Sequence, residues 1–127
     1  MDDNNELEMQ TADFLNKFGV PKDLEGYEYL KQAIVFTCRE SVIISSATKV
    51  LYPTLAKRFN VSPSHIEHKI RHAIEVTWDE SDMRVLNSFF GFIVPNSKGR
   101  PTNSEFIATV ADELRIMNGY KIKWQHK

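Results

Sequence analysis

Five side chains within one short stretch, His65, Glu67, His68, Arg71 and His72, are the residues best equipped for recognition chemistry. An arginine can donate to both O6 and N7 of guanine, and a carboxylate can accept from cytosine N4. An imidazole can donate to a purine acceptor or to a phosphate. On a helical wheel of residues 64–78, Ile66, Ile70, Ala73, Ile74 and Thr77 gather on one side. Ser64, His68, Arg71, His72 and Glu75 lie opposite, with His65 and Glu67 on the two shoulders. A helix patterned in this way buries its dry stripe and offers the other face to solvent or a partner. Glu67 is informative, because a lone acid on a basic surface weakens attraction to phosphate. It is easier to justify as a base reader or an orienter of Arg71 than as a backbone contact. The plainer alternative is an exposed glutamate pairing with Lys69 or Arg71.

A metal site has to be weighed against this. His65, His68 and His72 stand at i, i+3 and i+7, and the last two have the i, i+4 spacing of helical zinc sites. No His-Glu-x-x-His is present, and the remaining histidine is His126 near the end of the sequence. A solvated polar face is the stronger reading, and no metal is expected. The single cysteine, Cys38, falls on an apolar helical stripe and reads as a buried, inert thiol. No Gly-rich phosphate loop, nucleophile elbow or Cys/His pairing appears, so neither an enzyme nor a cofactor is expected.

The elements that would position the five side chains are short helices. A helix is expected from about Ala47 to Phe59, with Ser45 or Ser46 as cap, and Pro53 in its second turn predicts a distortion or a late start. Asn60-Val61-Ser62-Pro63 follows. Asn60 tolerates the left-handed conformation that ends a helix, Ser62 is a cap, and Pro63 suits a first helical residue. The next helix runs to about Trp78, so two helices are joined by a tight turn, the pattern of a helix-turn-helix. Elsewhere, helices are expected over Leu7–Phe18, closed by Gly19, and from about Asp23 to Arg39. Another runs from Ser81 or Asp82 through Phe90, closed by Gly91. The last opens at the capping box Thr102-x-x-Glu105 and ends at Asn118-Gly119. Val42-Ile43-Ile44 is too short for a partnered strand and reads as a connection, and 95–101 as a polar loop. The fold class is all-α, about six helices in a compact single domain with a central helix-turn-helix.

At 127 residues the chain holds about one domain. It is 42% apolar and 26% charged, which excludes collagen-like and mainly disordered classes. No apolar run approaches the ~20 residues of a membrane helix, and the acidic N-terminus does not resemble a secretory signal. A cytoplasmic location is the default, with no membrane partner. The net charge of −1 conceals an asymmetry: residues 1–28 carry eight acids against Lys17 and Lys22. Residues 46–73 carry Lys49, Lys57, Arg58, Lys69 and Arg71 against Glu67, and the last third is basic again through Lys98, Arg100, Arg115, Lys121, Lys123 and Lys127. That distribution permits a local anionic partner. The expected organisation is an acidic arm over 1–9, a helical domain over 10–117 with the helix-turn-helix at about 47–78, and a basic tail over 118–127.

At the helix-turn-helix the sequence also resembles a known family. The strings from Ser46 to Asn60, Ile70 to Trp78, Phe90-Gly-Phe92 and Pro101 to Arg115, with Gly19-Val-Pro21 and Gly26-Tyr-x-Tyr-Leu30, are similar to the C-terminal DNA-binding domain of the master sporulation response regulator of endospore-forming bacteria. The similarity runs in unbroken order over roughly residues 10–116. It implies six helices and recognition of a TGTCGAA-type box in double-stranded DNA, often in tandem copies occupied head-to-tail. It implies contact with RNA polymerase through its sigma subunit, placed around Met83–Phe92. The positions that match base readers in the family are His65, Glu67, His68, Arg71 and His72, and phosphate contacts fall near Lys49 and the helix start at Ser62–Ser64. His65 and His68 stand where the family usually has arginines. A two-pronged guanine contact becomes at best a single bond there, altering one or two base preferences. The family's receiver domain has no counterpart in these 127 residues, so the resemblance implies either an excised fragment or a stand-alone paralogue. The acidic start and the tail after Arg115 favour the paralogue, which would bind without phosphorylation control. A second reading of the same histidines and acidic start is an interaction module. It would modulate the full-length regulator or the polymerase with little DNA affinity of its own.

Overall fold

The computed structural model describes residues 3–40, 46–91 and 99–119 of the chain. Six α-helices account for most of them: α1 Asp3–Phe18, α2 Glu25–Arg39, α3 Tyr52–Phe59, α4 Pro63–Glu80, α5 Met83–Phe90 and α6 Asn103–Met117, with no strand among the described residues. None of these helices is long and apolar enough to cross a membrane. The expected connection at Val42-Ile43-Ile44, Ser45 as a cap, the loop positions 95–98 and the tail 120–127 lie outside the described residues.

α1 starts earlier than the apolar spacing suggests, at Asp3 rather than Leu7, so most of the acidic start is helical. Leu7 packs into the core, and Thr11, also buried, turns its hydroxyl back to the Leu7 carbonyl at 2.6 Å. Gly19 closes α1 at φ 88°, with Val20 N–H on the Leu15 carbonyl and Gly19 N–H on Asn16, the paired bonds that satisfy a helix end. Asn60 takes the left-handed conformation at φ 59° and ends α3. At the far end, Thr102 and Glu105 form the expected capping box, and Gly119 lies at φ 61° after α6.

Two expectations are corrected. The helix expected from Ala47 opens with a π-helical turn over Ala47–Leu51 that passes into α3, the distortion that Pro53 predicts, but the expected cap is absent, since Ser46 makes no side-chain cap bond. Pro53 accounts for the distortion: in a regular helix it would offer no N–H to the residue four back, and its ring would press on that carbonyl. Widening the preceding turn relieves the clash, and the Tyr52 N–H reaches the Ala47 carbonyl five residues back. Gly91 follows α5 in ordinary right-handed conformation and supplies no left-handed stop.

α2 is the centre of the domain, packed on α1, α4 and α6, and α4 is laid across α2 and α3 and reaches α6. The buried residues of α4 are Ile66, Ile70, Ala73, Ile74 and Thr77, the dry side of the helical wheel without exception. Each of the three isoleucines contributes roughly 1.5–3 kcal/mol by leaving water. Where α2 crosses α4, the Gly26 backbone lies so close to Lys69 that a Cβ would run into the Lys69 carbonyl and come within 2.9 Å of the Ala73 methyl. An aromatic cluster anchors the other end. Phe90 of α5 stacks on Phe106 at 5.1 Å and meets Phe18 and Trp78 edge-on, both at 5.2 Å. Cys38 is buried, and burial pushes its thiol up to about 11.

Candidate nucleic-acid interface

The side chains singled out on α4 are brought to one surface by the burial of its isoleucine stripe. Ser62 caps the helix, its hydroxyl accepting from the His65 N–H at 3.1 Å, and Pro63 follows as the first helical residue. The Ile66 N–H goes to the Ser62 carbonyl. Pro63 has no N–H and the His65 N–H is taken by the Ser62 hydroxyl, so fewer donors face an outside acceptor, the Ser64 N–H and hydroxyl among them. Ser62, Ser64 and Lys49 are all exposed. Such a start offers an anion fewer donors than one with four free amides.

Glu67, His68 and Arg71 form one joined group. Arg71 Nη2 donates to Glu67 Oε1 at 2.9 Å and to His68 Nδ1 at 2.7 Å. A guanidinium can only donate, so His68 Nδ1 is the acceptor and the neutral ring carries its proton on Nε2. With 66% of the His68 side chain exposed, the arrangement offers a hydrogen-bond donor alongside the remaining Arg71 N–H groups. Glu67 is steadied from below, because Asn103 of α6 donates to both the Glu67 carbonyl and the Tyr52 hydroxyl at 3.2 Å. A cavity of about 480 Å³ lies beside this group, lined in part by Thr48, Glu67, Arg71 and Arg100. Its two arginines are matched by acids, Arg71 by Glu67 and Arg100 by Glu75 at 3.1 Å. His72 is exposed on the same side of α4.

His65 is not part of that group. Its Nε2 donates to Glu25 Oε2 of α2 at 2.6 Å, and its ring sits edge-on to Tyr29 at 6.0 Å. Glu25 also accepts from the Tyr29 hydroxyl at 2.5 Å and faces Lys69 Nζ at 3.8 Å. The hydrogen bonds from His65 and Tyr29 hold the Glu25 carboxyl below the usual carboxylate range. Burial and the neighbouring carboxylate push Tyr29 up to about 12. The three histidines therefore diverge: His65 is turned to a carboxylate and His68 to a guanidinium. Among the described residues no three His, Cys, Asp or Glu side chains are grouped to hold a metal ion.

Four contributors escape a reading of spacing alone. Glu25 and Asn103 reach α4 across 40 and 36 residues of sequence, and Arg100 pairs with Glu75 across 25. Gly26 sets the α2–α4 distance. Its only trace in the sequence is a glycine inside a helical pattern, a sign of close backbone approach. Arg115, counted with the basic last third, is buried and donates to the Thr37 carbonyl at 2.8 Å, so it adds nothing to a basic surface.

Compared with known protein families, the sequence matches the one described as sporulation initiation factor Spo0A C terminal, over residues 11–114.

Proposed function

The chain belongs to the family of sporulation initiation factor Spo0A C-terminal domains, DNA-binding effector domains of a sporulation regulator and not an enzyme family, and from that premise we propose how it reads DNA. α4 is the recognition helix and enters the major groove of a TGTCGAA-type box. Arg71 reads guanine, His68 and His72 donate to neighbouring acceptors, and Glu67 holds Arg71 in plane. Lys49 and the Ser62–Ser64 helix start take phosphates on either side. The observation that carries this reading is the joined Glu67–Arg71–His68 group, half-buried at Glu67 and Arg71 and exposed at His68, on a helix whose opposite face is wholly buried. A guanidinium held by a carboxylate loses less freedom on meeting a base edge than a loose one.

The reading extends to occupancy without a phosphoryl signal, since His68 and His72 are uncovered by any other described element. It extends to α5 as a contact for RNA polymerase or for a second copy on a tandem site. Met83 and Arg84 stand in solvent there while Leu86 and Phe90 anchor the helix.

The test is fluorescence anisotropy with unphosphorylated protein on duplexes carrying the box and on scrambled duplexes, across a salt series. The expected result is a preference of about a hundredfold or more for the box, with affinity falling steeply as salt rises. His68→Arg is expected to strengthen binding to the box. Absence of any shift at micromolar protein, with the full-length regulator or polymerase co-purifying, would replace the reading with that of an interaction module.

A further inference from the structure

We propose that Glu25, in the first turn of α2, is a specificity-determining residue: it withdraws His65 from the base-reading set and confines readout to Glu67, His68, Arg71 and His72. The inference rests on α4 being the recognition helix. His65 lies on the α4 shoulder nearest its start, the part of a recognition helix that meets base edges. Yet its ring nitrogen is spent on a carboxylate from another helix at 2.6 Å, and the ring lies against Tyr29. The carboxylate is itself held by the Tyr29 hydroxyl and the Lys69 ammonium, and it stands in the first turn of α2, where a negative charge is favoured. Tyr29 in turn packs edge-on against Phe59 of α3 at 4.9 Å, so the clamp stands on the core and not on a flexible stem.

To reach a base, His65 has to leave a charge-assisted bond and an aromatic neighbour for a single hydrogen bond in the groove. Charge-assisted bonds are about twice as strong as neutral ones, so the exchange is unfavourable. The contrast with His68 is direct. That residue is held by Arg71, a partner that travels with it into the groove on the same helix. Glu25 also sets a negative charge beside the helix start, which lowers affinity for all duplexes alike. Only relative preferences among duplexes report on His65.

The experiment measures binding to a panel of duplexes carrying every single-base change across the box, for the 127-residue protein and four variants. His65→Ala is expected to leave the wild-type preference profile unchanged within about twofold. Glu25→Ala is expected to change preference at one or two adjacent positions by about fivefold, the scale of one added hydrogen bond of ~1 kcal/mol, besides a uniform gain in affinity. Adding His65→Ala to Glu25→Ala is expected to abolish that change and keep the uniform gain. Glu25→Gln keeps the volume and removes the charge. It shifts the same positions in the same sense by less, and its circular dichroism spectrum checks that the fold survives. The inference is overturned if His65→Ala alone reshapes the profile. It is also overturned if Glu25→Ala shifts every duplex equally. A wild-type protein with no preference on the panel defeats the α4 reading itself, a different failure from either of these.

Discussion

The two shoulders of α4 use the same chemistry to opposite effect. Each holds a carboxylate, a histidine and a basic side chain: Glu67 with His68 and Arg71 on one, Glu25 with His65 and Lys69 on the other. On the first, all three residues come from α4, within one turn of each other, so the group moves with the helix and stays at its surface. On the second, the acid comes from α2, 40 residues away in sequence, and draws the histidine toward the body of the domain. A local ion pair presents its members, whereas a tertiary one retracts them. The side that supplies the carboxylate decides whether a polar residue near a groove is a reader or a brace.

The comparison can be broken most forcefully at the crossing that brings α2 to α4. Gly26→Ala places a methyl group against the Lys69 carbonyl, a backbone atom that cannot swing aside. Overpacking of this kind costs about 2–3 kcal/mol. The expected result is a clear drop in thermal midpoint together with loss of the Glu25–His65 contact, read from the His65 ring resonances. Unchanged stability would mean that the two helices are not held in register there.

Arg71→Ala tests the presenting shoulder. It is expected to lose about 1–3 kcal/mol of binding to the cognate box and little on scrambled DNA. Equal loss on both would make Arg71 a phosphate contact. Ser62→Ala strips the cap below both shoulders and is expected to lower folding stability by about 1 kcal/mol in urea unfolding, leaving base preferences intact.

Smaller again is the response of the retracting shoulder to alkali. Tyr29 ionises near 12 in the folded chain against 10.0 when unperturbed. The unfolded state therefore loses its proton first, and the corresponding stability is whole below pH 10 and fades as pH rises toward 12. A spectrophotometric titration should show Tyr29 ionising late, beside Tyr27 and Tyr52, which burial also raises, and Glu25→Ala should bring Tyr29 alone earlier. Arg84→Ala is the control: a side chain 93% exposed, paired with Asp82 at 3.5 Å, is expected to change stability by less than about 0.5 kcal/mol.

Much of the presenting shoulder was legible in the sequence, because its determinants are local. The isoleucine stripe of α4 follows from spacing, Ser62 and Asn60 announce the turn by their chemistry, and Glu67, a lone acid in a basic stretch, suggested a base reader or an orienter of Arg71. The capping box at Thr102 was equally plain. The retracting shoulder was not legible, since nothing along the chain says that Glu25 meets His65. In a charge tally Glu25 is one of eight acids in an acidic start, and only the α2–α4 crossing gives it a partner. The π-turn was half legible: Pro53 signals that a regular helix is blocked, but how the backbone yields depends on what packs around Ala47 and Leu51.

That wide turn ties two kinds of sequence change together. An extra residue in a helical turn re-phases whatever precedes it by about 100°, and here the surplus residue exists to make room for a ring. Deleting one residue between Ala47 and Leu51 while proline stays at 53 would force the ring back onto a carbonyl. Replacing the proline alone would leave a bulge with nothing to accommodate. The wide turn and the proline are two halves of one local solution.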